Sequence, residues 1–394
     1  MSRLWDKGTP LDERVLAYTA GDDYALDERL VPYDVRASIA HAEMLNARKL
    51  LTDADLKAIR DGLTAIGAEH AAGVWKIELA DEDGQTALEK RLTARIGAAG
   101  GRVHLGRSRN DQVLTAVRLY LLDAGRELAA AAEGCAAALD ALASRDGEIP
   151  LPGYTHMQQA MPSTVALWAQ GFASELRDDA QGLGATARRA SRSPLGSAAG
   201  YGTPGLPLDR ELTREKLEFA EVHQPVTAVQ LARGKAEAQL LFEIALVMQD
   251  VGRLAADLIL FYSHEFAYVT LPPQFTTGSS IMPQKRNPDV FELIRGHSAT
   301  AQACLAETLG ITSKLTSGYH RDLQLLKAPL FRGIDLCVAT LAILPPALEG
   351  VHFNKERIAL DPSIHAAAEA NLLVAKEGIP FRDAYRRIAE KYRK

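Results

Sequence analysis

Within the stretch from Leu231 to His264, apolar residues recur at Leu241, Ile244, Met248, Val251, Ala255 and Leu258, with spacings that alternate between three and four. An α-helix returns side chains to one face at that interval, and a sustained three–four seam is how long helices pack along one another. Polar Glu243, Gln249, Asp250 and Arg253 fill the gaps. The spacing predicts one long helix whose apolar stripe must be covered by other helices. A second is expected after Asp111, whose side chain is placed to cap it, running through Val117, Tyr120, Leu121 and Leu128. A third follows Pro162 through Val165, Trp168, Phe172 and Leu176, and a fourth runs from about Pro288 through Leu293 to Leu309. Period-two alternation is scarce. The expected fold class is all-α, a bundle of long helices.

Alanine crowds residues 129–143, which serves either close helix packing or helix propensity alone. Helices of this length need partners for their stripes, and self-association is the simplest source. Residues 1–106 read as a smaller N-terminal helical domain, with helices near 35–49 and 54–70. Residues 107–350 hold the long helices. A C-terminal helical domain, 351–394, begins after a turn at Leu344-Pro345-Pro346 and carries a short helical pattern ending at Tyr385.

At 394 residues with a net charge of −5, the chain offers no electrostatic argument for nucleic acid or acidic lipid. The segment Met1–Lys7 lacks the apolar core of a secretory leader, and no apolar run approaches the length of about 20 residues that spans a bilayer. A cytoplasmic protein without membrane contact is expected. Cys135, Cys304 and Cys337 are far apart among small or apolar neighbours, and no CxxC, HExxH or clustered His/Cys spacing occurs. Neither a disulfide nor a metal is expected.

Four separated segments are richer in polar residues than packing requires. Gly278-Ser279-Ser280-Ile281-Met282-Pro283-Gln284-Lys285-Arg286-Asn287-Pro288 offers an oxygen base in Ser279, and a cation and an amide donor in Lys285 and Asn287. That set suits proton removal beside a carboxylate. Gly278 would let such a loop take backbone conformations closed to other residues. In Gly106–Gln112, Ser108, Arg109 and Asn110 stand at a helix start, where amides and cations favour anions. Pro152–Pro162 contains Thr155 and His156, an anion-holding hydroxyl and a group suited to proton transfer near neutrality. A lone histidine there is more often structural. Glu292, seven residues beyond Lys285, is placed to face back and orient an imidazole. Gly318–Lys327 supplies Tyr319, Gln324 and Lys327, polar groups able to hold an amino-acid end of a substrate.

These words are the ones that carry a resemblance. GRSRNDQ at 106–112, GYTH at 153–156, GSSxMPQKxNPD at 278–289 and YxxDLQxxK at 319–327 occur in family order, and similarity extends from about Leu4 to Tyr385. Together they resemble the argininosuccinate lyase family of the fumarase/aspartase superfamily. The resemblance implies a long-helix bundle and reversible elimination of fumarate from argininosuccinate to give arginine, without a cofactor. It also implies a homotetramer with each active site built from three subunits. It assigns Ser279 as the base and makes Lys285 and Asn287 stabilisers of the aci-carboxylate. His156, held by Glu292, assists protonation of the leaving group, directly or through the substrate. Ser38, Ser108, Arg109, Asn110, Thr155, Tyr319, Gln324 and Lys327 stand at substrate-holding positions.

Several positions depart from the family pattern. Gln85 stands where histidine is usual, Leu105 where threonine is, His320 where asparagine is, and Leu325 and Leu326 where an acidic pair is. The fumarate-forming half is untouched, whereas recognition of the leaving guanidinium is put in question. The stretch after Val351 is also shorter than the resemblance implies. Two other readings stand beside the first: the same elimination on another N-substituted aspartate, and a structural relative that has kept the fold, against which the presence of Ser279, Lys285, His156 and Glu292 argues.

Overall fold

The computed structural model describes residues 12–393. The Met1–Lys7 segment, read above as lacking a leader, and the start of the resemblance at Leu4 lie outside the described residues. The chain divides into two compact units. One comprises residues up to Glu127 with Leu183–Phe242 and Ala303–Ile334; the other comprises Leu128–Gly182, Glu243–Gln302 and Asp335–Lys394.

The long helices form as their periodicity requires. The seam lies on Lys235–Tyr262, and all six of its residues are 0% exposed. This helix starts later than Leu231 because Gly234, at φ 80°, separates it from the short helix Val226–Leu231. The others are Arg109–Asp146, Val165–Ala185, Asp289–Thr312 and Lys327–Glu349.

In the first unit, Val31–Ala47, Asp53–Ala71 and Gly84–Ile96 enclose a core of Val31, Leu45, Ile59, Leu63, Ile66 and Leu92. Side-chain caps fix two of these starts. Thr52 Oγ1 accepts from Asp55 N–H at 3.1 Å, and Asp83 Oδ1 accepts from Thr86 N–H at 2.8 Å.

In the second unit, the indole of Trp168 donates to Asp257 at 2.9 Å while its ring packs against Phe261 and Phe353 at 5.8 and 5.6 Å. Beside this cluster stands a β-hairpin the sequence did not announce, Pro150–Thr155 paired antiparallel with Gln158–Thr164. The third long helix therefore starts at Val165, not directly after Pro162. Pro152 and Pro162 face each other in the hairpin, so two residues without an N–H share one pairing position. Tyr154 and Tyr268 join hydroxyls at 3.2 Å, and Gln159 bonds Ala359 O and Asp361 N–H at 3.0 and 2.8 Å. These contacts fix where the hairpin tip is held.

Two further expectations are corrected. Pro345 and Pro346 lie inside Lys327–Glu349, which continues through them to its end. The chain turns only there, and two tail helices follow, Ala366–Glu377 and Phe381–Lys391, separated by left-handed Gly378 and Pro380. Also, Arg321–Glu349 is long and apolar enough by length and composition to cross a membrane, with a mean hydropathy of 1.5 in its best window. Half of that window is buried inside the fold, with Leu330, Phe331, Ile334, Cys337, Leu341 and Leu344 all in the core.

Truncating the seam should be costly. Leu258→Ala is expected to lower stability by about 2–5 kcal/mol. Arg253→Ala, whose side chain is 71% exposed, should change it by less than about 0.5 kcal/mol. Urea midpoints of the two variants check this, and equal midpoints would show that the seam does not carry the packing.

Candidate active site

The helix Arg109–Asp146 begins in the first polar segment, and its cap is not Asp111. Ser108 Oγ accepts from Asn110 N–H at 3.3 Å, and Asp111 Oδ1 reaches back to Ser108 N–H at 2.9 Å. This reciprocal pair sets the cap one turn earlier than expected, at Ser108. Asp111 is fully buried, and its other oxygen accepts from Gly196 and Ala198 N–H, each at 2.9 Å. Burial pushes its carboxyl up to about 6 against the opposing pull of these amides and Arg107. One carboxylate thus ties the helix start to the 193–202 loop.

Five of the candidate residues meet at one cavity of about 170 Å³ in the first unit: Arg109, Asn110, Tyr319, Gln324 and Lys327 line it, and Ser108 caps the helix beside it. Each is held in place. Arg109 pairs with Asp83 at 3.1 Å, and Gln324 donates to the carbonyls of Thr19 and Ala20, both at 3.1 Å. Lys327 is buried and ion-paired with Asp23 at 2.6 Å and with Asp27. Burial works against its ammonium, but Asp27 and Asp23 more than offset this and hold it above the ordinary lysine range.

Sequence reasoning missed the remaining walls. Asp23, Glu82, Asp83 and Arg233 also line the cavity. Arg233 is 5% exposed, and its Nε and Nη1 have no partner among the described residues. A buried guanidinium with unpaired donors is a site for an anion such as a carboxylate. Its sequence signal was faint: an arginine beside Gly234 at a helix junction. Asp23 and Asp27 stood four apart in a short segment that read as a loop.

Ser38 is placed elsewhere. It is buried and accepts from Arg107 at 2.9 Å, lining a void of about 10 Å³ with Asp34, Gln85 and Gln112. Gln85, at the departure from histidine, donates to Asp34 at 2.8 Å. Leu326 is buried and Leu325 is exposed, and neither lines the cavity. The carboxylates facing it come from Asp23, Glu82 and Asp83 instead.

The remaining candidates lie in the second unit. His156 and Met157 form the two-residue tip of the hairpin, at φ 50° and 59°. Both residues in left-handed geometry is the turn that suits hairpin twist, and it is strained for non-glycine side chains. His156 and Thr155 are exposed there. Ser279, Lys285 and Asn287 share one loop, closed by the pairing of Thr277–Gly278 with Arg286–Asn287. Ser279 Oγ accepts from Met282 N–H at 3.1 Å and Ile281 N–H at 3.4 Å. Two N–H donors on one hydroxyl oxygen favour its alkoxide form, which a serine base requires. Asn287 leans on Thr277 Oγ1 at 3.4 Å, and the Lys285 side chain is exposed. Gly278 sits in the short strand without a positive φ, so its backbone is not one that demands glycine. Glu292 is exposed in the first turn of its helix, and among the described residues no hydrogen bond joins it to His156.

The Lyase_1 family, described as lyase, matches residues 11–303. An argininosuccinate lyase of Sorangium cellulosum is 49% identical over 389 residues, covering 98% of this chain and 90% of that protein. One from Thermotoga neapolitana is 39% identical and covers 99% of this chain and 98% of its own length. The chain belongs to the argininosuccinate lyase family. Among solved structures, an EDDS lyase variant with bound fumarate superposes with a TM-score of 0.81 at 25% identity, over 97% of this chain and 76% of that one. A class II fumarase from Schistosoma mansoni gives 0.80 at 17% identity, over 98% of this chain and 91% of its own. The fold is the all-α long-helix type of the fumarase/aspartase superfamily.

The helix start offers a direct test. Ser108→Ala removes one cap acceptor and is expected to cost about 1 kcal/mol. Asp111→Ala leaves three amides without their acceptor and should cost about 3 kcal/mol or more. Unfolding midpoints rank the two, and a smaller loss for Asp111→Ala would contradict its tying role.

Proposed function

We propose that this protein cleaves argininosuccinate reversibly to arginine and fumarate, as a cytoplasmic homotetramer whose active sites combine residues of different subunits. The observation that carries the reading is the meeting of Arg109, Asn110, Tyr319, Gln324 and Lys327 at one polar cavity in a chain of this family. A cavity with a buried unpaired guanidinium and facing carboxylates suits an amino-acid fragment with both charges.

In the proposed reaction, the Ser279 alkoxide removes a proton from the succinyl carbon next to one carboxylate. The electron pair spreads into that carboxylate, and Lys285 and Asn287 stabilise the resulting aci-carboxylate. The pair then forms the C=C bond of fumarate while the C–N bond breaks. The leaving nitrogen takes a proton delivered with the help of His156, directly or through the substrate. Glu292 orients His156.

Support for shared sites comes from what a single chain leaves open. His156, Lys285 and Glu292 are exposed, and the long helices keep large apolar residues uncovered, such as Leu293 at 61% and Leu309 at 51%. Gly296 and Gly310 on the same helix have open space where a side chain would stand, which a close-packed second copy would use.

A purified sample should form fumarate from argininosuccinate, followed by the absorbance of the product, after treatment with a chelator. Ser279→Ala should abolish turnover while substrate still binds, because the hydroxyl acts mainly in the transition state. Mixing inactive His156→Asn and Ser279→Ala proteins, then dissociating and reassociating them, should restore part of the activity. Confirmed mixed tetramers without recovery would place each site within one chain. Fumarate released from other N-substituted aspartates, but not from argininosuccinate, would select the second reading.

A further inference from the structure

Two carboxylates hold Lys327, and they are not equivalent. Asp27 is 0% exposed with both oxygens occupied, one by Lys327 and one by Gly84 N–H at 2.9 Å. It has no face on the cavity. Asp23 lines the cavity, with Oδ1 2.6 Å from Lys327 Nζ and no donor to Oδ2 among the described residues.

The local charge balance is short of a cation at this point. One ammonium serves both Asp23 and Asp27. Asp34 adds a third carboxyl close behind, since a side chain at Gly84 would meet both Asp27 Oδ2 and Asp34 Oδ2 at 3.5 Å. Asp83 lies on the same wall but is already paired with Arg109. Burial, with Asp27 and Asp83, pushes the Asp23 carboxyl up to about 7 against the pull of Lys327. A second cation placed beside Asp23 would relieve this surplus.

The geometry points to Asp23 as the residue that selects a cationic leaving group, receiving on Oδ2 a positively charged group of the departing fragment. This assignment rests on the fumarate-releasing reading above. Charge-assisted hydrogen bonds to a carboxylate are the stronger kind, and a guanidinium or ammonium supplies N–H donors in plenty. The unpartnered donors of Arg233 face the same cavity and suit the carboxylate of the same fragment. A neutral leaving amine would leave Asp23 uncompensated, and the cavity would reject it by the energy of a buried unpaired charge. Asp23 therefore restores the acidic recognition that Leu325 and Leu326 do not provide.

Calorimetric binding of arginine, decarboxylated arginine and fumarate to the wild-type protein and to Asp23→Asn tests the assignment. Asp23→Asn should weaken arginine and decarboxylated arginine by tenfold or more and shift fumarate by less than twofold. Its KM for argininosuccinate should rise more than its kcat falls. A residue acting only through Lys327 would spare decarboxylated arginine, and that result, or equal losses for arginine and fumarate, overturns the proposal. Should Asp23→Asn fail to fold, the wild-type protein still decides. Arginine carries no group that titrates between pH 6 and 8, so its affinity should fall as pH drops below about 7 and Asp23 takes up a proton. Fumarate affinity should stay level over that range, and a flat arginine curve overturns the proposal. Turnover of argininosuccinate is measured separately, so loss of the activity reading and loss of the Asp23 assignment are told apart.

Discussion

A buried ammonium is the constraint around which the cavity of the first unit is built. Lys327 is 3% exposed, and an ammonium taken out of water costs several kcal/mol unless carboxylates meet it. Asp23 and Asp27 meet that need, and Asp27 in turn fixes Gly84 N–H at the start of the next helix. Gln324 and Arg321 then bond the carbonyl of Thr19, so the segments near residues 20, 84 and 320 are drawn to one place. Asp111 does the same for the helix start and the 193–202 loop. Polar groups buried in this way hold geometry more than they add stability, because each is strong only when every partner is in place.

The second unit presents its chemistry differently. His156 sits at a hairpin tip and Ser279 in a surface loop, where packing cannot hold them. Backbone contacts hold them instead. Tyr154, Gln159 and the tail segment near Asp361 pin the hairpin, while the amides of Ile281 and Met282 fix the Ser279 oxygen. The left-handed His156 is a strained residue kept in place by its surroundings, as groups at functional sites commonly are. A rigid cavity in one unit and exposed reactive groups in the other fit a site that is completed only when copies of the chain come together.

The long helices were legible because their signal repeats: six seam residues at a three–four interval leave no other regular structure that buries them all. What stayed hidden depended on partners far along the chain. Ser108 and Asp111 are both cap residues by type, and only the returning bond from Ser108 N–H shows which one caps. The hairpin was masked by Pro152 and Pro162, which argue against strands unless they face each other. Pro345 and Pro346 read as a break, although the helix carries them to its end. Motif words located the reactive segments well. They did not show that Ser38 is sealed under Arg107 or that Lys327 is already held by two aspartates.

The glutamine at position 85 connects these points. A histidine there could carry a positive charge towards Asp34, whereas the amide of Gln85 can only donate a neutral hydrogen bond. Asp34 is fully buried, and burial together with Asp27 holds its carboxyl well above the usual range. No compensating charge reaches the group from Gln85, so the acidic surplus around Asp27 is left for Lys327 and the cavity to balance. Replacing one ionisable residue by an amide thus changes the charge of a site more than ten ångströms of sequence motif would suggest, because in a buried network each group sets the ionisation of the next.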